Sequence, residues 1–385
     1  MKKLYADNAA TSLPKPPQVI EATCNFLKEI GCNPGRGGYR LGLEASRMVF
    51  RARELLASFF NVDRAERVVF TSNVTHSLNI LLKGLLEPGD HVVTSSMEHN
   101  AVTRPLARLG KEWKIRVTKV PCAKDGTLDP DDLRKALQRE TKLVVLTHAS
   151  NVTGTILPVA EIGELCASRG IYFAIDAAQT AGIIPLDFKA LQLDFLAFTG
   201  HKGLLGPPGT GGLCLSERGG RALKSLMEGG TGSQSHLAQQ PEELPDKLEC
   251  GTLNTAGIAG LAAGVQFINE KGGPAYFQAQ EGRLLSAFLD GLREIKGITT
   301  YGPGEQQKQV ATVSINIEGW DAGELSYILD QEYGIMTRSG LHCAPDAHKT
   351  IGTFPKGTLR FSFGAFNTMK DIEAILEALR QLKTL

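Results

Sequence analysis

The chain has 385 residues, 42% apolar and 22% charged, and 42 basic against 41 acidic residues give a formal net charge of +1. That length suggests two or three packing units, and the near-balance of charge argues against bulk attraction to nucleic acid or an acidic membrane. No run approaches the roughly 18 uninterrupted apolar residues of a membrane helix, and the first two lysines, Lys2 and Lys3, of the opening "MKKLYADNAATSLPKPP" have no apolar core behind them. We therefore expect a cytoplasmic protein with no nucleic-acid and no membrane partner, whose anion recognition is local.

Along the first two thirds, short apolar runs alternate with amphipathic stretches. "RVVF" (67–70), "HVVTSS" (91–96), "KLVVLTH" (142–148), "IYFAID" (171–176) and "DFLAFTG" (194–200) read as buried strands. "THSLNILLKGL", "DPDDLRKALQRE" and "PVAEIGELCASRG" between them have helical spacing, with Asp or Pro at the start and Gly at the end. Strand, helix, strand in this order predicts an α/β fold with a mostly parallel sheet. The polar, Gly/Pro-rich stretch 229–247 is too long for an ordinary connection and reads as a functional or partner-contacting loop. From about residue 256 a long helical stretch, a further helix around 275–295, the alternating "ATVSINIEG" and "TLRFSFGAFN", and a last helix predict a smaller α+β unit. The expected division is an N-terminal segment 1–14 packed with the small unit, a large domain 15–257 and a small domain 258–385.

The seven cysteines (24, 32, 122, 166, 214, 250 and 343) form no C-x-x-C pair and no zinc spacing. Most are expected to be small buried apolar residues.

"TGHKGLLGPPGTGGL" (199–213) invites two readings. Its second half resembles a nucleotide-binding loop, but Gly212 and Leu213 stand where the lysine and hydroxyl would be needed. Its glycines predict a tight backbone turn instead. Lys202 follows a buried strand, at the carboxyl end where open α/β sheets bind ligands. A lysine withdrawn from water there can have a lowered pKa and join an aldehyde cofactor. Asp176 closes the strand "IYFAI", where a carboxylate needs a partner; a protonated pyridine nitrogen is one. Gln179 lies three residues on, Asn151 follows "KLVVLTHAS", and His99 follows "HVVTSSM". Each alone reads as an ordinary loop residue; four at successive strand ends predict one site. The junction "FTSNVTHSL" offers free N–H groups at Val74 and Thr75 and a helix dipole for a phosphate, with Thr75, Thr199 and His201 as further donors.

These residues resemble a known family, the cysteine desulfurases of the class V aminotransferase group, which are fold-type I enzymes dependent on pyridoxal 5'-phosphate. The likeness runs from "YADNAATS" to "FNTMKDIEAILEAL". It implies a large domain with a mostly parallel seven-stranded sheet and a smaller C-terminal domain. It also implies a cofactor carried covalently by Lys202, with Asp176, Gln179, His99 and Asn151 around its ring and Val74, Thr75, Thr199 and His201 around its phosphate. "GTLNTAGIAGL" implies a homodimer in which Thr252 reaches the phosphate of the other subunit. "RSGLHCAPDA" is similar to the family's "R-x-G-H-H-C-A" loop and implies Cys343 as nucleophile, with Arg338 and nearby His342 favouring its thiolate. "GTLRFSFGAFNT" implies Arg360, with Arg338 and Asn151, as the grip on the substrate carboxylate. Leu341 departs from the pattern, where the first histidine is expected. The expected activity is conversion of L-cysteine to L-alanine with a persulfide on Cys343, which is passed to a sulfur-acceptor protein for iron-sulfur cluster or thio-cofactor synthesis. Lys202, Cys343 and His99 are the expected catalytic residues. Lysis of L-selenocysteine, aminotransfer and a silent sulfur-transfer scaffold are the alternatives.

Overall fold

The computed structural model describes residues 3–35 and 38–382. After a two-residue strand β1 (Leu4–Tyr5), seven strands build one sheet: β2 (Val68–Thr71), β3 (His91–Ser95), β4 (Arg116–Val120), β5 (Thr141–Thr147), β6 (Tyr172–Asp176), β7 (Phe195–Thr199) and β8 (Gly211–Leu215). Their spatial order is β2-β8-β7-β6-β5-β3-β4. Only β8 runs against its neighbours, β2 and β7. The carboxyl ends of the other six therefore open on the same edge.

The central strands are covered on both faces, which is why they read as continuous apolar runs. Helices α1 (Pro17–Asn25), α2 (Arg40–Phe60), α3 (Val74–Leu85), α4 (Asn100–Glu112), α5 (Pro130–Ala136), α6 (Val159–Ser168), α7 (Glu217–Ala222) and α8 (Thr255–Glu270) accompany this sheet. One core joins Leu56, Phe60, Phe173, Phe198 and Leu261; another, on α3 and α4, joins Leu78, Leu81, Val102 and Leu106.

The rest of the chain is α9 (Pro274–Arg293), β9 (Ile298–Tyr301), β10 (Thr312–Ile317), α10 (Ala322–Tyr333), β11 (Ile335–Met336), β12 (Arg338–Gly340), α11 (Pro345–Thr350), β13 (Thr358–Ser362) and α12 (Met369–Leu382). Here β12-β13-β10-β9 form an antiparallel sheet with its own core, from Leu284 and Phe288 to Ile375 and Leu379. Leu4 and Ala6 join that core, and β1 pairs in parallel with β11. The expected division at 257/258 falls inside α8, whose Ile258, Leu261, Val265 and Ile268 belong to the core of the large unit.

Two strands of the seven-stranded sheet differ from the sequence reading. β4 was not expected, because its exposed edge replaces the apolar run with "RVTKV". Gly211 and Gly212, read as a turn, instead begin β8. A Cβ at Gly211 would lie 2.8 Å from the Cα of Asn73, so glycine lets β8 pass directly beneath the start of α3. The stretch 229–247 contains no helix or strand. Of the cysteines, only Cys166 and Cys214 are buried; Cys24 and Cys343 are exposed, so the expectation of mostly buried thiols does not hold.

Candidate active site

Asp176 is the last residue of β6 and Thr199 the last of β7, so Asp176 and Lys202 emerge side by side at the sheet's carboxyl edge. Asp176 is 3% exposed and accepts the N–H of Ala178 at 2.9 Å. Burial raises its pKa, while that N–H and the Lys202 charge oppose the rise. Lys202 is pushed down to about 8 by burial, with Arg360 and Arg338 adding to the fall and Asp176 and Asp7 resisting it. An amine so lowered is a usable base near neutral pH. His99 caps α4 by accepting the N–H of Ala101 on Nδ1 at 3.0 Å. Burial, with the charges of Lys202, Arg338, Arg104 and Arg360, lowers it to about 4 and keeps the ring neutral. Gln179 is tied by its amide N–H to the oxygen of Ala9 at 3.1 Å. Lys202 and Gln179 line one cavity.

The start of α3 is an anion cradle. A helix leaves its first N–H groups without partners. The Asn73 side chain takes that of His76, leaving those of Val74 and Thr75. Thr199 is 1% exposed and its Oγ1 has no hydrogen-bond partner. His201, lowered to about 4 by burial and by the Lys202 and Lys15 charges, is held by its own backbone oxygen, which accepts from Ser12 N–H and Lys15 Nζ. Ser72, His76 and Gly211 share a pocket of about 250 Å³ with Thr252, whose side chain is exposed. Unfilled donors, the glycine-cleared floor and the amine–acid pair together fit pyridoxal phosphate: Lys202 for its aldehyde, Asp176 for its ring nitrogen and the α3 start for its phosphate.

A third element closes the site from the small unit. Cys343 is exposed at the tip of a loop in which His342 and Cys343 both have left-handed backbone (φ 47° and 59°). The loop is anchored by the Asn151 amide on the His342 oxygen at 2.6 Å and by Asn100 N–H on the Cys343 oxygen at 2.8 Å. Arg338 Nη2 lies 3.8 Å from Cys343 Sγ. Arg360, from the middle of β13, donates to the Asn151 oxygen at 3.0 Å and to Asp7 at 2.5 Å, and its Nε is buried without a partner.

Charge couples Lys202 to Asp176, His99, Arg338 and Arg360, and Arg338 reaches Cys343, while Thr252 lines a separate pocket with Ser72 and His76; two residues depart from expectation. His342 is no cation: it is 2% exposed, its Nε2 pairs with Thr358 Oγ1 at 3.1 Å, and burial drives its pKa far down. Arg338 alone of the pair brings charge to the thiol. Asn151 spends its side-chain amide on the cysteine loop rather than leaving it free. Three residues escaped sequence reasoning: Asp7, Glu98 and Glu281. Glu98 is fully buried, takes the Thr147 N–H and the Ser95 hydroxyl, and is pushed up to about 8 by burial. Its position just before His99 was the one signal available for it.

The comparisons with known proteins agree with this geometry. The class-V aminotransferase family description matches residues 4–375. The chain is 36% identical over 384 residues to a probable cysteine desulfurase of Methanothermobacter thermautotrophicus, covering 98% of this chain and 94% of that one. It superposes on the apo structure of the cysteine desulfurase of Thermococcus onnurineus with a TM-score of 0.94 and 35% identity, over 100% of this chain and 95% of that one. For the cysteine desulfurase CsdA of Escherichia coli, in an S-sulfonic acid form, the TM-score is 0.88 at 29% identity, over 100% and 95% of the two chains. The chain is a fold-type I enzyme of the class-V aminotransferase family, a family that works with pyridoxal phosphate. Within that family it belongs to the cysteine desulfurases.

Proposed function

We propose that the protein converts L-cysteine to L-alanine and keeps the sulfur as a persulfide on Cys343. The observation that carries this is the exposed thiol of Cys343, 3.8 Å from the Arg338 guanidinium whose charge also acts on Lys202, with the Cys343 oxygen anchored by the Asn100 N–H next to His99. Lys202 holds the cofactor covalently. When bound, pyridoxal phosphate supplies an electron sink that weakens the bonds at the substrate α-carbon. Asp176 would hold the ring nitrogen, Gln179 the ring hydroxyl, and neutral His99 would bind against the ring. Val74, Thr75, Thr199 and His201 hold the phosphate.

Arg360 receives the substrate carboxylate on its free edge. Lys202 takes the α-proton and later returns a proton to the carbon skeleton. The thiolate of Cys343 attacks the substrate sulfur, so that a sulfur–sulfur bond forms as the carbon–sulfur bond breaks. Cysteine and one enzyme thiol become alanine and one enzyme persulfide, with atoms and charge in balance. An exposed sulfur at a loop tip suits onward transfer to an acceptor protein for iron-sulfur cluster or thio-cofactor synthesis.

A homodimer is part of this reading. Ile20, Leu27, Leu43 and Phe50 stand exposed along α1, the turn after it and α2, an apolar face that asks for cover. Thr252 is exposed beside the cradle and so is open to a second subunit's phosphate. A cytoplasmic setting is consistent with the described residues containing no helix long and apolar enough to cross a membrane.

The test is to incubate purified protein with L-cysteine, and in parallel with L-selenocysteine, and to measure alanine together with mass added at Cys343. Cys343→Ser should retain the cofactor's yellow colour and lose both turnover of cysteine and the added mass. Undiminished cysteine turnover in that variant removes Cys343 from the nucleophile role; turnover of selenocysteine alone makes the protein a selenocysteine lyase.

A further inference from the structure

Glu281 lies on α9, behind the Lys202 crevice. It is 4% exposed, and its Oε1 has no hydrogen-bond partner. A buried carboxyl oxygen left unpaired is costly, so its surroundings call for an explanation. Two cavities meet at this residue. The inner one, about 40 Å³, is lined by Lys202, Gln179 and Ser12. The outer one, about 250 Å³, is lined by Gln278, Gln306 and Gln309. Ile183, Val310, Ala311 and Glu281 line both, and only Glu281 among these four has a polar side chain. Gln306 is exposed, so the outer cavity meets solvent. The inner space has room for about two or three waters, and its polar walls can bind them.

We propose that Glu281 is a positioning residue that passes protons between solvent and the Lys202 amine through waters of these two cavities. The proposal rests on the reading of Lys202 as the base in desulfuration. In one direction the Lys202 ammonium gives a proton to an inner water, that water protonates the Glu281 carboxylate, and Glu281 releases a proton to the outer cavity; no electrons move. The reverse sequence reloads the amine. Among the described residues, Lys202 and Glu281 are the only titratable side chains lining either cavity. Burial brings both groups to about 8, from opposite sides, so neither traps the proton. The consequence is specific: hydrogen taken from the substrate α-carbon is exchanged with solvent before Lys202 returns a proton.

The experiment uses the cofactor-loaded enzyme in ordinary water with L-cysteine deuterated at the α-carbon, and reads deuterium in the alanine by mass spectrometry. Wild type should return little label. Glu281→Gln and Glu281→Leu should retain about threefold more or beyond, and Glu281→Asp should restore exchange. Alanine of wild-type isotope content from Glu281→Gln overturns the proposal, whereas wild type that makes no alanine overturns the desulfurase reading instead. A second arm needs no turnover. The infrared difference between wild type and Glu281→Gln should contain a protonated carboxyl band that shifts on the first mixing with heavy water. A band that resists this exchange sinks the relay whatever the substrate.

Discussion

Arg360 and Asp7, 353 residues apart in the chain, meet at 2.5 Å between Nη2 and Oδ1. The arginine side chain is 1% exposed, and its other engaged nitrogen is held by the Asn151 oxygen. These two contacts fix the guanidinium plane and leave one edge free, Nε with the second Nη2 hydrogen, for a carboxylate to grip in two parallel bonds. Asp7→Ala leaves a buried cation without its counter-charge, at a cost of about 3–5 kcal/mol. Its unfolding temperature should fall clearly, that of Asp7→Asn should fall less, and KM for L-cysteine should rise in both. Thermal melts and steady-state kinetics check this; an unaltered melt in Asp7→Ala means the pair does not stabilise the fold.

The unpartnered hydroxyl of Thr199 predicts a trade between stability and cofactor binding. Thr199→Val keeps the shape and removes a buried polar atom that has nothing to bond in the chain itself. The cofactor-free variant should be at least as stable as wild type, since the desolvation cost of about 1–3 kcal/mol is gone. Its Kd for pyridoxal phosphate should rise about tenfold, as expected for one lost hydrogen bond to a charged group. Melts without cofactor and an absorbance titration with it separate the two effects. Loss of stability together with intact affinity would falsify the assignment of Thr199 to the phosphate.

What the sequence made legible follows from how far each feature reaches along the chain. The inner strands are buried on both sides, and the lysine and acid lie at their ends within a few residues, so both could be read locally. β4 at the sheet edge breaks the apolar run, and Gly211 of β8 answers to Asn73, a residue more than a hundred positions away. Asp7 and Glu281 earn their places through contacts that only the folded chain creates. His342 shows the opposite error: its neighbourhood to Cys343 suggested a cation, and burial against Thr358 makes it a neutral strut.

Arg338 should act on Cys343 through charge, and a pair of reagents can isolate that action. Iodoacetate carries a carboxylate and iodoacetamide does not, while both alkylate the same sulfur. In wild type the arginine 3.8 Å from Sγ favours the anionic reagent. Arg338→Ala should lower the iodoacetate-to-iodoacetamide rate ratio about twofold to fivefold, the scale of one partly exposed charge contact. Arg338→Lys should keep most of it. The ratio cancels any general change in exposure of the loop, so an unmoved ratio in Arg338→Ala would show that the guanidinium does not face the thiol in solution.

The buried titratable groups together predict an unusual stability profile against pH for the cofactor-free chain. His99, His148, His201, His342 and His348 are all lowered by burial from 6.5 to about 4 or below, so the unfolded chain binds more protons between those values, these five outweigh the two carboxyls, and stability rises with pH there. Glu98 and Glu281 are raised from 4.5 to about 8, so the folded chain binds more protons in that range and their contribution falls as pH rises. Above 6.5 the histidines are neutral in both states and the carboxyls act alone. Beyond about 8 the sign turns again, because Lys202 and Lys15 are lowered from 10.5 to about 8 and the unfolded chain once more holds extra protons. Urea midpoints should therefore peak near pH 6.5 and dip near pH 8, with the carboxyl part on the order of a few kcal/mol. Glu281→Gln should recover about 4 kcal/mol at pH 8 and almost nothing at pH 4, because a glutamine has no proton to lose. A midpoint that climbs steadily from pH 6.5 to 8 in the wild type contradicts the burial of both carboxyls as ionisable groups.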